Sequence, residues 1–398
     1  MTPQAIPGCV LTHPEIVYHI ATVETEHSGR GLFPYAVEYA RPELMQLRLV
    51  SRNFCAAASR HLFKHIVAPT DSSVCSRNPL LRLVEISRSE YAAHVRHLET
   101  GYARSTDYRS PSRGQDIKDL AGVLLPCLAR LSDIRVLKFR ASCPSFTREQ
   151  EGIAIKTIVA ALRCVTLPRL EGLELHFPVA YDFGYFFPNH STPLHIPMED
   201  ILRRLKYLAL HVTAFTKELG QRHLRSPVLP AHAALPNDLH AVNLLRLAEL
   251  APYLEALRIS STDVLPFHPI HFSPALRLAS LCLQRVLIRF NHFSALISQC
   301  KDHLKHIDLS LVELDSGTWH AALTQLCQLP GLVDILISSC GYPTTGPNAH
   351  LVGILSAPDD PVPLETMNSP DYDGLDELRE SVNANRVALG LDPLKRWS

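Results

Sequence analysis

The chain has 398 residues, enough for one long domain with a smaller one beside it, and its 46% apolar against 20% charged residues will bury a substantial core. Lys plus Arg and Asp plus Glu are both 39, so no net field draws the protein to nucleic acid or to an anionic membrane. No basic-then-apolar leader opens the sequence and no apolar run is long enough to span a bilayer, so the expectation is a soluble intracellular protein, cytoplasmic or nuclear.

The first predicted element is a short helix. Thr12 can cap it, Pro14 suits its first turn, Glu15 favours its positive end, and Ile16 and Ile20 share a face. A polar stretch containing Gly29, Gly31 and Pro34 follows. Helical spacing then resumes through Leu47, Val50, Phe54 and Ala58 and continues into Leu62, Phe63 and Ile66, with Arg48, Arg52, Arg60 and Lys64 facing outward. A small orthogonal helical bundle over residues 10–68 is expected.

LTHPEIVYHI resembles the opening of the F-box motif, and LMQLRLVSRNFCAAASRHLFKHI resembles its second half in the form common in fungal F-box proteins. The sequence departs from the family pattern in two places: His13-Pro14 stands where Leu-Pro is usual, and the connection between the halves is long. The resemblance implies docking on a Skp-type adaptor and, through it, a cullin. The implied contacts are Leu11, Pro14, Ile16 and Ile20, then Leu44, Leu47, Leu49 and Val50. The alternative is that these residues form the core of a capping helical hairpin.

From residue 95 a strand-like phrase recurs. Val95-Arg96-His97-Leu98 is followed by Ile134-Arg135-Val136-Leu137-Lys138-Phe139, Leu170-Glu171-Gly172-Leu173-Glu174-Leu175, Leu205-Lys206-Tyr207-Leu208-Ala209-Leu210 and Leu254-Glu255-Ala256-Leu257-Arg258-Ile259. Three more begin at Leu278, Leu304 and Leu332. The last intervals, 24, 26 and 28 residues between opening leucines, fall within the range of about 20–29 for leucine-rich repeats, whereas 35 and 49 residues separate Leu170, Leu205 and Leu254.

Helical candidates at 117–131, 153–162, 241–250, 292–299 and 318–329 lie between the strands. A strand and a helix that cannot each bury their apolar side alone will stack repeat on repeat. The pattern is similar to a divergent leucine-rich-repeat solenoid, an α/β architecture, over residues 80–355. A doubly wound α/β domain is the alternative.

Two stretches read as insertions near 177–197 and 217–240. The first carries Tyr181, Phe183, Tyr185, Phe186 and Phe187, which suit either docking of a target protein or the plugging of a repeat junction. Residues 356–398 read as a mobile acidic linker followed by an amphipathic cap placing Leu375, Leu378 and Val382 on one side.

Chemistry is hard to find. Ten cysteines show no CxxC pair and read as buried thiols, and the basic cluster Arg203, Arg204 and Lys206 reads as a solvated edge. Among 21 histidines, His61 and His65 have i,i+4 spacing in the expected helix but lack the glutamate of HExxH, and His268 and His271 lack further ligands. No catalytic, cofactor-binding or metal-binding set is assigned, and no nucleotide or hydrolase signature occurs. The resulting expectation is a non-enzymatic substrate receptor of a cullin-RING ubiquitin ligase. The alternative is a leucine-rich-repeat scaffold outside any ligase.

Overall fold

The computed structural model describes residues 44–46, 48–69, 79–101, 113–141, 147–187, 196–213, 237–354, 356 and 360–394. Within these, strands and helices alternate along the chain. The strands are β1 (His65–Pro69), β2 (His97–Gly101), β3 (Val136–Arg140), β4 (Gly172–Phe177), β5 (Tyr207–Val212), β6 (Ala256–Phe267) and β7 (Ser280–Arg289), then β8 (His306–Ser310), β9 (Glu313–Ser316), β10 (Asp334–Ser338), β11 (Cys340–Gly341) and β12 (Leu364–Glu365). The helices are α1 (Arg52–Leu62), α2 (Pro79–Arg88), α3 (Arg113–Leu128), α4 (Arg148–Cys164), α5 (Met198–Leu202), α6 (Asn237–Glu249), α7 (Phe290–Cys300), α8 (Trp319–Cys327) and α9 (Ser369–Ala388).

The strands form one twelve-stranded sheet in which every pairing between named strands is parallel. From β1 to β7 each strand lies beside its neighbour in sequence, so each repeat adds one strand and returns, mostly through a helix. This is the solenoid-like α/β arrangement expected of leucine-rich repeats; a doubly wound sheet would instead reverse its strand order.

A backbone ladder fixes the register. The carbonyls of Lys64, Arg96, Arg135, Glu171, Lys206, Glu255, Ala279 and Lys305 each accept two N–H groups from the next repeat, as Arg135 does from Glu171 at 2.8 Å and Gly172 at 2.9 Å. The same turn thus precedes the strands despite unequal intervals. Slow growth of loop-closure cost with length lets the 49-residue interval coexist with the 24-residue one.

Period-two alternation divides the side chains. Leu98, Leu137, Leu173, Leu208, Leu257 and Leu281 occupy successive register positions and are at most 1% exposed. They join apolar residues of the helices, such as Leu120, Ile158, Leu244, Phe293 and Leu323, in one core running from Ile66 to Val382. Helix starts are locally encoded: Thr147 and Gln150 make a reciprocal capping box at α4, and Thr318 Oγ1 accepts from Ala321 N at α8.

At β7 the sheet forks. Ser280–Gln284 pair with β8 and through it β10, while Leu287–Arg289 pair with β9, which leads to β11 and β12. Each branching repeat bends at a residue in left-handed conformation: Arg285 (φ 57°), Leu311 (φ 56°) and Ser339 (φ 58°). None is glycine, so each bend costs on the order of 1–2 kcal/mol, which the flanking pairing must offset.

Three expectations need correction. Helical spacing extends through Ile66, but α1 ends at Leu62 and His65 opens β1, so His61 and His65 never share a helix. The cause is non-local: β1 pairs along its whole length with β2. The bundle expected over 10–68 therefore gives up its last residues to the sheet. The acidic segment read as a mobile linker contributes β12, which pairs with β11, and Ser339 N donates to Val362 O. The segment after it forms α9, which begins at Ser369 and packs on α8.

One buried carboxylate anchors the start of α9. Asp371 is fully buried and accepts from Tyr342 Oη at 2.8 Å, Thr366 Oγ1 at 2.7 Å, Asn368 Nδ2 at 2.9 Å and His320 N at 2.8 Å. Burial and the carboxylate together push the Tyr342 phenol well above its ordinary range, so it stays a donor.

Candidate functional site

The odd register positions of the strands point away from the core and carry the polar residues. One row runs Glu99, Lys138, Glu174, Ala209, Arg258, Cys282 and Asp308; the next runs Gly101, Arg140, His176, His211, Ser260, Gln284 and Ser310. Parallel pairing in constant register turns residues far apart in sequence into neighbours about 4.8 Å apart.

The charges in these rows are paired. Glu99 meets Arg140 at 3.0 Å and Lys138 at 3.9 Å, and Lys138 Nζ reaches Glu174 Oε1 at 2.9 Å. On the far side of Arg258, Cys282 Sγ lies 3.4 Å from Asp308 Oδ2, and Ser310 Oγ donates to Asp308 Oδ1 at 3.1 Å.

The centre of this face is Glu174, His176 and His211. Glu174 Oε1 lies 2.6 Å from His176 Nε2 and 3.6 Å from His211 Nε2. The two rings stack with centroids 4.0 Å apart and planes 10° from parallel. Glu174 is 5% exposed and His211 9%. His211 Nδ1 makes a short hydrogen bond with Ser260 Oγ, which leaves Nε2 buried without a hydrogen-bond partner. Opposite Glu174 in its row stands Ala209, whose small side chain leaves the carboxylate room to lean toward the histidines.

Burial lowers the pKa of both histidines. For His211 the neighbouring His176 adds to the effect and Glu174 opposes it; for His176 the hydrogen bond to Glu174 offsets part. Two stacked imidazolium rings would also repel, so the neutral pair is the stable form.

Burial and, at Cys282, the adjacent Asp308 push the thiols of Cys282 and Cys300 up to about 12. They are therefore the reverse of activated nucleophiles. The buried acid–base group on the helix side, Arg148 with Asp182 and Glu151, is a structural ion cluster. Arg148 Nη1 donates to Asp182 Oδ2 at 2.9 Å, its Nη2 bonds Asp182 Oδ1, and burial raises the Glu151 carboxyl to about 7.

The sequence-derived candidates are placed otherwise. Leu11, Pro14, Ile16, Ile20 and Leu47 lie outside the described residues. Leu44 is buried with Ala58 and Leu62, while Leu49 and Val50 are 87% and 66% exposed in the turn before α1. Of the aromatic run, Phe183 and Phe186 are buried against Phe177. Tyr185 and Phe187 are half-buried beneath Lys156 and Arg246, and Tyr181 is exposed. The run lies on a seven-residue 3-10 segment, Ala180–Phe186, wedged between α4, α6 and β4, so its buried rings fill a junction between repeats.

Sequence reasoning passed over Glu174, His176 and His211. The available signal was the alignment of Leu173-Glu174-Leu175-His176 with Leu208-Ala209-Leu210-His211, which puts a histidine at the same strand position of successive repeats. Neither His61 with His65 nor His268 with His271 belongs to a cluster of three metal-ligand types among the described residues; Glu174, His176 and His211 do.

No family model matches the chain, and no curated protein does. Among solved structures it is similar to an internalin from Listeria monocytogenes, at 11% identity over 76% of this chain and 87% of that one, with a TM-score of 0.24. At that score the likeness adds nothing to the strand pairing, which carries the description of the fold. Among the described residues, no helix is long and apolar enough to cross a membrane.

Proposed function

We propose that this chain is a non-enzymatic recognition module whose polar sheet face holds a protein partner. The observation that carries this reading is the row of charges on successive strands, already paired and partly desolvated before a partner arrives. Side chains fixed in advance lose less entropy on association, and a solenoid spreads them over an extended surface. Charged rows of this kind supply specificity and orientation more than raw affinity.

The test is charge reversal. Arg140→Glu with Arg258→Glu should weaken capture of a partner isolated on the wild-type chain by about tenfold or more, on the order of 1.4 kcal/mol, with circular dichroism unchanged. Lys118→Glu, on the exposed side of α3, should not. Equal loss in both variants would refute a face-specific site.

The finer reading is a ubiquitin-ligase receptor, in which the N-terminal segment docks on a Skp-type adaptor and the solenoid holds the substrate. It is supported by the F-box resemblance and by the exposure of Met45, Leu49 and Val50, three apolar side chains in one short segment. Co-purification with the adaptor tests it. Leu49→Asp with Val50→Asp should abolish the complex and leave the solenoid folded. If the wild-type chain ignores the adaptor, the scaffold reading stands and the ligase reading falls.

A further inference from the structure

We propose that Glu174, His176 and His211 form a binding site for a first-row divalent metal ion, Zn2+ by the chemistry of its donors. The site goes beyond partner recognition and stands whether or not the face takes a protein.

The donor set is two imidazole nitrogens and one carboxylate oxygen, all within 4.8 Å of one another. A tetrahedral ion about 2.0–2.2 Å from each donor needs donors roughly 3.3–3.6 Å apart. The His211 Nε2 to Glu174 Oε1 separation of 3.6 Å is close to this, the 2.6 Å contact of His176 has to open by under about 1 Å, and the two rings, now stacked within 10° of parallel, have to turn so that both Nε2 lone pairs converge on the ion. Two imidazoles with one carboxylate match Zn2+ and disfavour Ca2+ and Mg2+, which prefer all-oxygen sites.

The surroundings of His211 resemble those of a ligand. Ser260 engages Nδ1 and orients the ring, the outer-shell arrangement that metal-bound histidines require. The remaining nitrogen faces a carboxylate oxygen across a buried gap, with no hydrogen-bond partner of its own. When Nδ1 carries the proton, two lone pairs confront each other there, and a cation between them turns repulsion into two bonds. His176 now holds its Nε2 against Glu174; coordination through that atom places the ring proton on Nδ1.

Lys138 opposes the ion, since its ammonium lies 2.9 Å from the same carboxylate oxygen. It also faces Glu99 at 3.9 Å, toward which it can withdraw. Removing this ammonium should therefore tighten metal binding, a consequence that a purely structural ion pair would not have. Three protein donors leave a fourth position for water or an incoming ligand.

The experiment is titration of the full chain, purified free of metal, with Zn2+ by calorimetry and with Co2+ by visible absorption. One ion per chain is expected, with the intense visible bands of tetrahedral Co2+. Loss should exceed the ~10–100-fold cost of outer-shell changes in Glu174→Gln and in His176→Asn with His211→Asn. Ser260→Ala should weaken binding within that ~10–100-fold range, and Lys138→Gln should strengthen it. Glu174→Gln keeps the size of the side chain and guards against misreading an unfolded variant, as does circular dichroism on each protein. Absence of Zn2+ binding by the wild-type chain would overturn the proposal. So would binding that survives in the double histidine variant, or a Co2+ spectrum lacking tetrahedral bands.

Discussion

The stretch from β2 to β5 and the stretch from β7 to β12 solve the same stacking problem differently. In the first, long connections separate single strands, and the polar rows are dense with ion pairs and histidines. In the second, intervals shrink to 26 and 28 residues, and the chain turns at a left-handed residue within β7, between β8 and β9, and between β10 and β11. Regularity of the turn, not equality of repeat length, holds the sheet in register: the same bifurcated carbonyl ladder runs through both. Where loops are long the chain gains freedom to place chemistry; where they are short it gains an ordered end.

The most damaging change to either region should be loss of a buried ion partner. Arg148→Ala removes the cation between fully buried Asp182 and Glu151, at an expected cost of about 3–5 kcal/mol in urea unfolding. Asp371→Ala strips four hydrogen bonds from the cap and should cost about 2–4 kcal/mol, with hydrogen exchange rising first in α9 and α8. If exchange rose equally in β2 and β3, the two regions would be one cooperative unit.

Gly101→Ala tests the first region at its edge. Gly101 ends β2 at φ 125°, and a Cβ there would sit 2.1 Å from the Arg140 carbonyl oxygen. A loss of about 1–3 kcal/mol is expected by thermal unfolding.

A local titration follows. Burial, with His65 and nearby cations adding, lowers the His97 pKa to about 4. The folded state therefore resists protonation that the unfolded chain accepts near 6.5. Its contribution to stability is complete above pH 6.5 and is lost as pH falls toward 4. An NMR midpoint for His97 near the ordinary histidine value would contradict this.

The smallest effect belongs to the second region. Ser339→Gly should stabilise by about 0.5 kcal/mol, because glycine relieves the left-handed strain while loosening the unfolded chain.

Legibility divided along the same lines. The strand phrases were readable because the Leu-x-Leu alternation is local, and β2 through β8 form where those phrases lie. β1 was not, since Ile66 also fits helical spacing and only pairing with β2 decides the matter. The doubled strands escaped because arginine, leucine and serine occupy bends where glycine would have announced a turn. The centre of the polar face escaped for another reason. Glu174 and His176 are separated from His211 by 37 and 35 residues, and only the register brings them together.

The fork at β7 gives the sheet two finishing edges instead of one. The β11 arm ends under β12 and the cap, whereas among the described residues β10 pairs only with β8. Its outward Leu336 is 51% exposed. Such an edge is a template on which another chain can add a strand, and long flat edges aggregate. The bend at Ser339 keeps β10 to five residues. A β-branched residue there, favouring extension, would lengthen the edge, so the strained serine guards the protein's colloidal stability as well as its shape.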